Sequence, residues 1–287
     1  MVTIPLPKHA FDSLLGLLDT VEAKYGFDMQ KICAPNYNKF VLWQRAFPGG
    51  SVNDRMAAIK FVVFCCLVDK ILDSPRFTEA EKEAVCRKVD VRHLTAEVPY
   101  QSESFPEIDA LLNDIRIHLI APEWRDSACL PMLLKKMDRA FTSEIYMWKN
   151  PLLLRESFNK GDLHLLVDKS VDFELAAFLL ASQCMDHPDA AVARYIAIAF
   201  WLIDDLCDFV EDIHCKRRNS LLFCCVPTDE TISLEERIEL AYSNLEKMIV
   251  LLETCLKKLK SCTNSELYQF ILNEVWEWSF NVRRMAE

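Results

Sequence analysis

The chain has 287 residues, 51% of them apolar, and a formal net charge of −10 at pH 7. That supplies enough apolar material for a sizeable core, and the acidic balance argues against a nucleic-acid partner. The five glycines, Gly16, Gly26, Gly49, Gly50 and Gly161, cannot build a Gly-rich phosphate loop, which excludes the Rossmann and P-loop readings.

In chain order, helical spacing begins at His9–Tyr25, with Phe11, Leu14, Leu15, Leu18 and Val21 apolar and Gly26 closing the run. A loop through Cys33–Tyr37 leads to a short predicted helix, Asn38–Ala46, broken at Phe47-Pro48-Gly49-Gly50. Ser51 with Asp54 three residues on reads as the capped start of a helix to Leu72, nearly all apolar after Lys60. It ends in Asp69-Lys70-Ile71-Leu72-Asp73, and Ser74-Pro75 stops it. Thr78 caps a helix to Val89, and Asp90–Pro106 reads as a polar surface loop.

Further helices are predicted over Pro106–Leu119, Pro131–Trp148, Leu152–Leu166 (interrupted by Gly161) and Asp168–Cys184. After Pro188 a helix runs from Ala190 to about Ile213, followed by Lys216-Arg217-Arg218. Two more span Leu234–Leu259 and Ser265–Arg284. With no convincing strand or linker, the pattern is one all-α domain over residues 1–287, of about ten helices.

Twelve cysteines without a CxxC pair disfavour zinc and read as buried, reduced thiols of a cytoplasmic protein. Met1–Lys8 has no signal-peptide pattern, and the longest apolar runs, near Phe61–Val68 and Tyr195–Ile203, are too short for an integral membrane segment. The six histidines are scattered, and no Ser-His-Asp or Cys-His arrangement stands out.

Chemistry concentrates at the ends of two apolar helices. Asp69 and Asp73 are four residues apart; so are Asp204 and Asp208, with Asp212 four further on and Glu211 beside it. Such acids stack on one helix face and repel, so a cation is expected among them. Hard oxygen ligands suit Mg²⁺, which bridges carboxylates to substrate phosphates. Lys216, Arg217 and Arg218 supply positive charge for the remaining phosphate oxygens. Phe61, Phe64, Phe173, Phe200 and Trp201 would line an apolar, aromatic interior. A diphosphate head on an apolar tail is an isoprenyl diphosphate, whose ionisation leaves a carbocation that aromatic faces stabilise. Asp205 lies about 100° round the helix from Asp204 and is the acid least suited to the same face.

These residues resemble the class I terpenoid synthases, and within them the bacterial large-terpene synthases of the tetraprenyl-β-curcumene synthase type. Leu202-Ile203-Asp204-Asp205-Leu206-Cys207-Asp208-Phe209-Val210-Glu211-Asp212 follows the pattern LLDxxIDxxED. Gly49-Gly50-Ser51 precedes Leu67-Val68-Asp69-Lys70-Ile71-Leu72-Asp73, in the order of that group's first motif. The likeness runs from about Trp43 to Phe223. It implies the isoprenoid-synthase fold, a helical bundle around a central apolar cavity, with two or three Mg²⁺ ions for which Mn²⁺ can substitute. It also implies a diphosphate contact from Arg284, and pairing as a homodimer is common in such folds.

The sequence departs from the pattern at Cys66, where the group has its leading Asp. Its first site is DxxxD, as in squalene and phytoene synthases, and its second lacks an Asn-Ser-Glu triad. Three readings stay open: a terpene cyclase, a condensing enzyme of the squalene/phytoene type, and a non-catalytic helical binding protein.

Overall fold

The computed structural model describes residues 8–29, 49–151, 160–183, 187–224 and 233–273. The predicted helix Asn38–Ala46 and most of the last one, including Arg284, lie outside them; residues 265–273 are helical. The elements are α1 Lys8–Tyr25, α2 Val52–Asp73, α3 Glu79–Cys86, a 3₁₀ turn Val91–Leu94, α4 Pro106–Ile120, α5 Pro122–Arg125 and α6 Leu130–Lys149. They continue with α7 Lys160–Val167, a π turn Asp168–Asp172, α8 Phe173–Ser182, α9 His187–His214, α10 Leu221–Cys224, α11 Leu234–Ser243 and α12 Leu245–Cys262. The chain is all-α, with no β-strand among the described residues. No described helix is long and apolar enough to cross a membrane. Two compact units can be distinguished, residues 1–141 with 176–186, and residues 142–175 with 187–287.

In the first unit α2 is the central helix. From Met56 to Leu72 most of its side chains are buried, and Phe61 and Phe64 pack on Phe141 with ring centroids 6.1 and 5.7 Å apart. A helix apolar on nearly every side needs neighbours all round, and α4 packs along it. Its start is a full capping box: Ser51 Oγ accepts from the Asp54 N–H at 3.2 Å, and Asp54 Oδ2 accepts from the Ser51 N–H at 2.6 Å.

Gly50, at φ +83°, lies against the carbonyl of Ala181 at the end of α8, where any side chain would collide. The two glycines before the cap therefore have a packing reason of their own.

The polar stretch Asp90–Pro106 is better anchored than a free surface loop. Fully buried Lys88 bonds to Asp109 and Ser102, with its ammonium 5.2 Å from the Tyr100 ring centroid. Arg116 holds the Ala96 carbonyl at 2.9 Å. Phe105 enters α4 in the left-handed region, at φ 52°, and its ring is wedged 5.7 Å from both Tyr25 and Phe77. Packing there offsets a backbone conformation that a bulky residue normally avoids.

The second unit is built on α9. Ala197, Trp201, Leu202 and Phe209 from its apolar face join Leu166, Val171, Leu221, Leu222, Ala241 and Met248 in one buried cluster. The α12 helix and the π turn both pack along it. The sequence suggests one helix over Leu234–Leu259, but Asn244 divides it. The Asn244 amide donates to the Leu240 carbonyl at 2.7 Å, while its own backbone at φ −120° ends α11 and starts α12. An Asn side chain that competes for helix carbonyls is a common way to end one. The predicted start of a separate helix at Asp168 is instead a π turn that joins α7 to α8.

Candidate functional site

The acids of the second motif all lie on α9. Asp204 and Asp208 are half-buried, Glu211 is exposed and Asp212 is buried. At one turn's spacing the three aspartates share a face. Asp205 belongs to another face and is fully engaged there. Its Oδ2 accepts the Ser220 N–H at 2.9 Å and the Ser220 hydroxyl, so it caps the start of α10. Asn219, with no exposed surface, ties the two faces together. Its Nδ2 donates to the Asp205 carbonyl and to Asp212 Oδ2, each at 2.8 Å, and its Oδ1 accepts the Leu221 N–H at 3.0 Å.

Burial pushes the Asp205 carboxyl up to about 6, against the opposing pull of Ser220's donors and the Lys169 charge. Burial likewise pushes Asp212 up to about 7; the Asn219 bond and Arg217 work against this, while the charges of Asp205 and Asp208 add to it. At Asp212 the nearby carboxylates thus add a smaller push to the one that burial supplies.

The end of α9 explains where the basic run goes. The Lys216 N–H donates to the Ile213 carbonyl at 3.1 Å and the Arg217 N–H to the Asp212 carbonyl at 2.7 Å. With Lys216 at φ 57°, this is a Schellman motif carrying a lysine where glycine is usual. The motif turns Arg217 back along the helix. Its guanidinium reaches Glu211 Oε1 at 3.6 Å and Asp212 Oδ1 at 3.5 Å. Lys216 is exposed, whereas Arg218 is buried and donates from Nε to the Asn150 carbonyl at 3.1 Å. The three basic residues thus have three different positions.

Lys216→Gly should relieve the left-handed strain and stabilise the protein by about 0.5–1 kcal/mol. Urea unfolding checks this, and a lower midpoint for the variant would show that the lysine side chain outweighs its backbone.

The first-motif acids sit at the end of α2. Asp69 is half-buried and Asp73 exposed, with Lys70 Nζ 4.0 Å from Asp69 Oδ2. Such a loose, solvated pair contributes little. Among the described residues no three His, Cys, Asp or Glu side chains form a ready-made metal cluster. The aromatic candidates are distributed over both units. Phe61 and Phe64 are buried in the first; in the second Phe200 and Trp201 are buried and Phe173 is half-buried.

Sequence reasoning missed Asn219 and Ser220, although Asn-Ser directly before Leu221-Leu222 is a recognisable capping signal. It also missed Lys169 on the π turn, whose ammonium lies 2.8 Å from Glu144 Oε2. No short-range pattern marks that pair.

No protein-family model and no curated protein sequence matches the chain. A solved structure does. It is the crystal structure of a linalool/nerolidol synthase from Streptomyces clavuligerus in complex with 2-fluorogeranyl diphosphate, with a TM-score of 0.51 and 13% identity. The match covers 99% of each chain. The chain shares the all-α fold of that synthase. At this identity the likeness establishes the fold, and function rests on the residues.

Proposed function

We propose that the chain is a class I terpene synthase acting on a linear prenyl diphosphate. The observation that carries this is the acidic face of α9, Asp204, Asp208 and Asp212, closed at its end by Arg217. The donor set suits Mg²⁺: every candidate atom is a carboxylate oxygen, and the mutual repulsion that helps raise Asp212 is relieved by a cation. Asp204, Asp208, Glu211 and Asp212 of the second unit would hold it; Asp69 and Asp73 of α2 are a separate candidate set within the first unit. Held there, Mg²⁺ would supply Lewis-acid stabilisation of the leaving diphosphate.

The remaining roles fall to the chain itself. Lys216 and Arg217 take up phosphate charge, and Arg218 anchors the turn that presents them. Asn219 holds the Asp212 carboxylate in a fixed orientation. Within the second unit, Phe173, Phe200 and Trp201 are the candidates to exclude water and present ring faces to the cation. Because the solved neighbour holds a fluorinated geranyl diphosphate, geranyl diphosphate is the first substrate to try.

The test is incubation with Mg²⁺ and geranyl, farnesyl, geranylgeranyl or longer prenyl diphosphates, each alone, with gas chromatography of the extracts. A terpene hydrocarbon or alcohol from a single substrate is the expected result. A head-to-head dimer would assign the chain to condensation instead. No turnover and no diphosphate release with any of them would overturn the enzyme reading.

A further inference from the structure

Asp212 has two carboxylate oxygens, and their partners differ in kind. Oδ2 is bound by Asn219, a side chain with no exposed surface that is itself fixed by two further hydrogen bonds. Oδ1 faces the Arg217 guanidinium at 3.5 Å, and the same guanidinium reaches Glu211 at 3.6 Å. Those distances are longer than a tight bidentate pair, and the Arg217 side chain is 32% exposed. Such a pair is weak and screened. The Arg217 backbone is fixed by the helix-end turn, so the side chain can swing while its root stays in place. A cation approaching Asp212 therefore meets one partner fixed by several hydrogen bonds and one held at Asp212 by a longer, partly exposed charge contact.

We propose that Arg217 is the chain's own occupant of the Asp212 Oδ1 and Glu211 position, and that an anionic diphosphate draws it away as a metal ion takes its place. Metal and diphosphate binding are then coupled through this one side chain, in addition to their direct attraction. The idea rests on the metal-and-diphosphate reading above. It adds a consequence that reading lacks: the arginine opposes metal binding when no diphosphate is present. By linkage, whatever removes the arginine from the acids raises metal affinity by the same factor in either order of addition.

Equilibrium dialysis of Mg²⁺ at fixed ionic strength tests this on the full chain, with and without inorganic diphosphate. Arg217→Gln should bind Mg²⁺ alone about three- to tenfold more tightly than the wild type, because a competing charge a few ångströms away has gone. The gain in Mg²⁺ affinity on adding diphosphate should shrink in the variant. Arg217→Lys, which keeps the charge, should stay near the wild type. Matching far-UV circular dichroism spectra would show that all three chains are folded. Mg²⁺ affinity in Arg217→Gln that is equal to or weaker than the wild type, without diphosphate, overturns the proposal while leaving the metal site standing. No Mg²⁺ binding by wild type or variant, even with diphosphate, overturns both.

Discussion

Asp204→Ala is expected to remove turnover while leaving the fold intact. Asp204 is half-buried on the acidic face of α9, and the role assigned to it is holding a cation against the departing diphosphate. Loss of one such stabilising group lowers turnover by about 10²–10³-fold or more. Asp69→Ala should behave alike. The adjacent residue supplies the control. Asp205 is buried and caps α10 through Ser220, so Asp205→Ala leaves the Ser220 N–H and hydroxyl without their acceptor. That costs about 1–3 kcal/mol of stability, with turnover per folded molecule largely kept. Initial rates beside urea midpoints separate the two cases. Full activity in Asp204→Ala would remove this residue from the metal set. An Asp205→Ala chain that is fully stable but inactive would reverse the roles given to the two acids.

That contrast also shows what can be read from the sequence and what cannot. Helical period placed Asp205 off the face of Asp204, and the structure gives it a separate partner. Capping signals placed the starts of α2 and α3 at Ser51 and Thr78, where full capping boxes occur. Apolar spacing located α1, α4, α6 and α9 to within a few residues. These signals are local, carried by side chains three or four residues apart. The rest depends on distant parts of the chain. Arg218 reads as one of three equivalent cations, yet it is buried on a carbonyl 68 residues away. Asn244 reads as an ordinary helix position, although its side chain ends the helix. Gly49-Gly50 looks like part of a motif, whereas their neighbours in space are the carbonyls of Ala181 and Ser182.

Asp54 is the largest instance, and its replacement should have the largest effect on stability. Sequence reasoning gives it one task, closing the capping box with Ser51. In the fold its Oδ1 also accepts from Trp124 Nε1 at 2.6 Å, His118 Nε2 at 2.9 Å and Gln183 Nε2 at 3.1 Å. One carboxylate thus joins the start of α2, the end of α4, α5 and the residue that follows α8. Trp124 is buried, so without Asp54 its indole N–H has no route to water. Asp54→Ala should cost about 3–5 kcal/mol, as expected when one member of a buried charged network is removed. Asp54→Asn keeps part of the hydrogen bonding and should cost less.

Acid titration of stability distinguishes the charge from the shape of the side chain. Burial alone would raise the Asp54 carboxyl, but the bonds from His118, Ser51 and Trp124 outweigh it and hold the group well below the usual carboxylate range. A carboxylate lowered in the folded state contributes stability that is complete above its unfolded value, about 3.9, and is lost as the pH falls toward the folded one. The wild type should therefore lose stability steeply below about pH 4, and Asp54→Asn should follow a flatter acid limb. Urea midpoints between pH 7 and pH 3 measure both curves. Parallel curves would mean that Asp54 acts through geometry, with its charge contributing nothing to the network.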